Sequence, residues 1–74
     1  MINNRDIEAL RRFGDNLRKI RLDKNLSQQQ LALEADLSKN QIGNIERGEV
    51  NITLSSIMAI AKTLKIPAKD LFDF

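Results

Sequence analysis

Along this chain apolar residues return every three or four positions, in short bursts separated by polar breaks. Strand-like alternation is missing over any useful length. In the first burst Leu10, Phe13, Leu17 and Ile20 form one stripe, which predicts a helix from about Asn4 to Lys24. Gly14 falls inside it, where glycine costs about 1 kcal/mol relative to alanine; the position reads as one where another element comes close. Asn25 is the expected stop, since asparagine enters the left-handed region more readily than most residues. A second helix is predicted from Gln28 to about Ala35, with Leu31, Ala32 and Ala35 inward. A third runs from Lys39 to Arg47, with Ile42 and Ile45 inward and Gly48 as its stop. After a loop, Thr53 caps a fourth helix through about Leu64, whose core stripe reads Leu54, Ile57, Met58, Ala61 and Leu64. Ile66-Pro67 breaks it, and Pro67 suits the first position of a short fifth helix ending near Phe72. The pattern thus predicts an all-α chain, a compact set of five helices in a single domain, residues 1–74.

The second and third helices share a signature. Each opens on a capping box, Ser27 with Gln30 and Ser38 with Gln41. One tight turn joins them, and polar residues cover the outer side of the later one. Two short helices so joined, over residues 27–47, make a helix-turn-helix that offers its second helix to the DNA major groove.

Composition narrows the chemistry. The 74 residues contain no cysteine and no histidine, so disulfides, zinc sites and the usual nucleophile-base pairs are absent. No cofactor, metal or small-molecule substrate is implied, and no phosphate-cradling Gly-rich loop is present. No apolar run approaches a membrane span, and the opening Met-Ile-Asn-Asn-Arg-Asp lacks the apolar core of a signal peptide, so the expected location is the cytoplasm. The net charge of +2 is small, but its distribution is uneven. Arg5, Arg11, Arg12, Arg18, Lys19, Arg21 and Lys24 crowd the first third, an end suited to a polyanion.

Residues 10–72 resemble the Cro and phage-repressor, or Xre-type, helix-turn-helix family. The resemblance rests on Leu26-Ser27-Gln28, Leu31-Ala32, Leu37-Ser38, Ile42, Ile45-Glu46-Arg47-Gly48 and the closing Leu64 to Phe72. The chain departs from the family in the turn, where Asp36 replaces the usual glycine. A narrower resemblance is to the controller proteins of restriction-modification systems, through Asn51-Ile52-Thr53-Leu54 after the Glu-Arg-Gly; Val50 stands where many of them carry arginine. The family resemblance implies a transcriptional regulator that reads double-stranded DNA. It implies that Arg21 and Glu46 meet as a guanidinium-carboxylate pair tying the third helix to the first. It also places base reading on Lys39, Asn40 and Asn44, with Ser38 and Gln41 as helpers, because amides and amines match base edges. Gln28, at the start of the second helix, is expected to grip a phosphate, and Arg47 and Asn51 to meet the sugar-phosphate chain. Gly43 sits mid-helix; either DNA or a partner passes close to it, or it is incidental.

One such domain reads about half a site, so a homodimer on a near-palindrome is expected. Ile60, Ile66, Phe72 and Phe74 are the candidates for an apolar dimer patch. Two rival classes compete with this reading. A protein-protein module on the same fold is disfavoured by Lys39 and by the lack of acidic residues from 38 to 45. An enzyme is disfavoured because nothing organises a catalytic group beside a pocket.

Overall fold

The computed structural model describes residues 6–74, as four α-helices and one 3-10 turn: α1 (Ile7–Asp23), α2 (Gln28–Glu34), α3 (Lys39–Glu46), α4 (Leu54–Leu64) and the turn Ala68–Phe72. Each α-helix opens on a side chain that accepts a backbone N–H three residues on: Asp6 from Ala9, Ser27 from Gln30, Ser38 from Gln41 and Thr53 from Ser56. The Asp6 cap sets the start of α1 at Ile7, later than the hydrophobic stripe suggests; Asn4 lies outside the described residues. Both capping boxes close reciprocally, with Gln30 and Gln41 accepting the Ser27 and Ser38 N–H groups at 2.7 Å.

The helix ends share one device. Asn25, Asp36, Gly48 and Lys65 all take positive φ, between 59° and 72°. At each, the next residue's N–H returns to a carbonyl five residues back: Leu26 to Arg21, Leu37 to Ala32, Glu49 to Asn44 and Ile66 to Ala61. This is the Schellman stop, which satisfies carbonyls the helix leaves orphaned. Glycine fills this position only after α3; at Lys65 a long side chain holds it, which the pattern does not reveal.

The helices close around Phe13, Leu17, Leu31, Ala32, Ile42, Ile45, Ile57, Ile60, Ala61, Leu64 and Leu71. α3 packs on α1 and α2, while the 3-10 turn bridges α1 and α4. At Gly14 the backbones of α1 and α3 nearly touch; a Cβ there would lie 2.3 Å from the Ile45 carbonyl oxygen. Asn16 of α1 donates to the Asp70 and Leu71 carbonyls, both at 3.0 Å, and pins the closing turn. That turn is a 3-10 element, and Pro67 stands just before it in extended conformation instead of occupying its first position.

α4 buries Ile57, Ala61 and Leu64 as expected, but is turned slightly so that Ile60 replaces Leu54 and Met58. Ile60 is completely buried, whereas Leu54 and Met58 are 73% and 52% exposed. The buried stripe is Ile57, Ile60, Ala61 and Leu64, which also obeys three-four spacing. Ile60, expected in a dimer patch, is instead a core residue with no surface to offer a second copy. Phe72 is half covered, its ring 5.1 Å from that of Phe13, and Phe74 lies under the Arg12 guanidinium at 5.2 Å. Ile66 is half-buried against the core.

Candidate nucleic-acid interface

The site is built on α3. Ser38 ends an extended segment, accepts the Gln41 N–H at 3.0 Å and starts the helix. Ile42 and Ile45 sink into the core and fix the helix's rotation. That rotation leaves Ser38, Lys39, Asn40 and Gln41 exposed and Asn44 half-buried on the outer side. Lys39 and Asn40 project freely among the described residues. The Gln41 carbonyl is held by the capping box, so its amide N–H groups are what it offers outward.

The inner side of α3 is held by charge. Arg21 donates from Nε to Glu46 Oε2 at 2.6 Å and from Nη2 to Glu46 Oε1 at 3.0 Å. Its Nη1 donates to the Leu26 carbonyl at 2.8 Å, and both side chains are buried. Gln28 adds a third bond, donating from Nε2 to Glu46 Oε1 at 3.0 Å. The Gln28 amide is thus half-buried and turned toward Glu46; what remains for an anion at the start of α2 is its outward edge and the backbone N–H groups. Among the described residues no buried side-chain nitrogen or oxygen lacks a partner, so the charges are compensated rather than stranded.

Beyond α3 the chain turns at Gly48, and Arg47 folds back along the helix. Arg47 Nη2 donates to Asn44 Oδ1 at 2.6 Å, and Nε donates to Glu49 Oε1 at 2.7 Å. Asn51 is exposed in the next loop and lines a shallow groove with Gln41, Asn44 and Ser56. The structure thus gathers Ser38, Lys39, Asn40, Gln41 and Asn44 on one helix, with Gln28 on its neighbour and Arg47 and Asn51 just after it. Ile66, Phe72 and Phe74 belong to the other end of the chain. Sequence reasoning missed the Glu49 contact and the Gln28 bond to Glu46. The first had a signal in the Gly48 stop, which sends residue 49 back over α3; the second had none.

The helix-turn-helix family model matches residues 17–71, most of the chain and the whole of this site. The chain belongs to the helix-turn-helix family. Control protein C.BamHI of Bacillus amyloliquefaciens is 49% identical over 63 residues, 84% of this chain and 78% of that protein. Control protein C.MunI of a Mycoplasma species is 37% identical over 62 residues, 82% of this chain and 84% of that one. The crystal structure of the restriction-modification controller protein C.AhdI from Aeromonas hydrophila superposes with a TM-score of 0.84 at 40% identity, over 85% of this chain and 96% of that one. This helix-turn-helix protein is a DNA-binding transcriptional regulator of the Xre type. No helix among its described residues is long and apolar enough to cross a membrane.

Proposed function

We propose that this regulator lays α3 in the major groove of double-stranded DNA and binds a near-palindromic operator as a homodimer, controlling the genes of a restriction-modification system. The observation that carries the reading is the outer face of α3. From Ser38 to Ile45 it bears one lysine, amides and a hydroxyl, with no acidic residue, on a helix whose rotation is set by two buried isoleucines and a buried ion pair. Lys39, Asn40 and Asn44 read base edges, with Ser38 and Gln41 assisting. The start of α2 at Gln28 and the segment carrying Arg47 and Asn51 flank them and meet phosphates. The similarity to control proteins, among them the restriction-modification controller C.AhdI, supports the assignment to restriction-modification genes.

The second copy docks on α4. Leu54 and Met58 stand one turn apart and exposed, and no charged residue occurs from Val50 through Ala61. These apolar positions can be covered by a second copy while Lys62, one turn beyond Met58, keeps its charge at the solvated rim. On this reading the protein has no substrate and no catalytic role, and it works in the cytoplasm on DNA with a second copy of itself.

Footprinting on fragments selected from random duplex DNA tests the reading. Two protected half-sites about one helical turn, or roughly 34 Å, apart are expected. Absence of protection at every ionic strength would overturn it, and a single protected half-site would overturn the dimer. Enriched fragments that map away from restriction and methyltransferase genes in the source genome would remove the restriction-modification assignment alone.

A further inference from the structure

Arg47 does something that a bare phosphate contact does not require. Its guanidinium lies over Gly43, where a Cβ would stand 3.0 Å from Nη1. One edge donates to Asn44 Oδ1 at 2.6 Å and Nε donates to Glu49 Oε1 at 2.7 Å. Glu49 is brought back over α3 by the Gly48 stop, whose closing bond joins the Glu49 N–H to the carbonyl of Asn44 itself, at 2.9 Å. A guanidinium has donors only, so the amide facing it must present its oxygen. The NH2 group of Asn44 is then the edge left for a ligand. Gly43, mid-helix and otherwise unfavourable, leaves the room this arrangement occupies.

We propose that Arg47 is a positioning residue that presets the amide of Asn44, so that Asn44 offers hydrogen-bond donors to the DNA and selects guanine over adenine at one base pair of the operator. The inference rests on the reading of α3 as the base-reading helix. Guanine presents two acceptors in the major groove, O6 and N7, which suit an NH2 group. Adenine presents an acceptor and a donor, and its two-point match needs the asparagine oxygen turned toward the base edge, whereas the bond from Arg47 turns it toward the guanidinium. A phosphate contact would add affinity equally on all sequences; a preset amide changes which base is preferred.

The test compares base preference for the full chain and four variants, by sequencing fragments selected from random duplex DNA. Asn44→Ala comes first: loss of preference at one base pair identifies the position Asn44 reads. An unchanged profile removes Asn44 from base reading, and with it this inference. Gly43→Ala keeps every charge, and its new methyl meets only the flexible end of Arg47, so the variant folds and its helix is reinforced. Arg47→Lys keeps the positive charge but cannot bridge Asn44 and Glu49 as the fork does. Glu49→Gln weakens the far anchor. The expected result is that Arg47→Lys lowers the guanine-over-adenine preference about tenfold at the Asn44 position, within the range of one lost two-point contact, and that Gly43→Ala, which displaces the guanidinium only slightly, lowers it by less. Glu49→Gln moves it in the same direction by less, and the other positions do not change. If Gly43→Ala and Arg47→Lys keep the parent's profile, the presetting role is overturned while the DNA-binding reading stands. A parent preference for adenine at that position overturns it as well.

Discussion

Arg21 reaches from the end of α1 to grip Glu46 at the end of α3 through two parallel hydrogen bonds, 2.6 and 3.0 Å long, with both side chains buried. A two-point pair of this kind fixes direction as well as distance. Because Glu46 follows Ile45 directly, the pair sets the rotation of α3, the helix proposed to read DNA. Gln28 joins the same carboxylate, so the start of α2 is registered to α3 through one side chain.

Breaking either half leaves a buried charge uncompensated. Arg21→Ala and Glu46→Ala are each expected to lower stability by about 3–5 kcal/mol, and the double variant by clearly less than the sum. Urea unfolding of the three variants measures it. Strictly additive losses would show that the pair carries no coupling.

At Gly14 α1 and α3 cross almost backbone to backbone. Alanine there gains about 1 kcal/mol of helix propensity but sets its Cβ 2.3 Å from one carbonyl oxygen of α3 and 2.5 Å from the next. Neither belongs to a flexible side chain, so α1 and α3 must separate. Gly14→Ala is expected to destabilise by about 1–3 kcal/mol net, read from urea midpoints, and to weaken DNA binding where it still folds.

Lys65 and Asp36 hold left-handed conformations with φ of 59°, which cost an L-residue roughly 1–2 kcal/mol. Replacing either by glycine removes that strain and adds backbone entropy to the unfolded chain. Lys65→Gly and Asp36→Gly are each expected to stabilise by about 0.5–1 kcal/mol, a rise of several degrees in Tm for a domain of this size. Thermal melts that fall instead would show that the side chains contribute more than the strain costs.

On the outer face, Lys39→Ala is expected to weaken binding to the selected site by about 1–3 kcal/mol and to relax base choice. Gel shifts over a series of salt concentrations separate this from loss of a phosphate contact, which weakens all sequences alike and flattens the salt slope. Binding equal to the parent's would show that the face assigned to Lys39 does not meet DNA.

Leu54→Glu and Met58→Glu place charge on the two exposed apolar positions of α4. Sedimentation at several concentrations is expected to shift from dimer toward monomer, and Tm is expected to lose its dependence on protein concentration. Variants that sediment as the parent would move the proposed dimer surface elsewhere.

Much of this protein was legible in the residue order because its helix ends are made locally. Ser27, Ser38 and Thr53 cap through bonds three residues long, and Asn25, Asp36 and Gly48 stop helices by their own backbone preference, so no distant partner is needed to locate them. The outward amides of α3 follow from the same source, since Ile42 and Ile45 leave only one face for them. Residue order did not decide which way α4 turns. That helix is apolar on most sides, and both Leu54-Ile57-Met58-Ala61-Leu64 and Ile57-Ile60-Ala61-Leu64 satisfy the same spacing; burial against α2 and the 3-10 turn kept Ile57, Ala61 and Leu64 and exchanged Leu54 and Met58 for Ile60. Nor could it place the Arg47 guanidinium over Gly43. A flexible side chain settles where a vacancy and two acceptors converge, and that convergence exists only once the chain has turned back at Gly48.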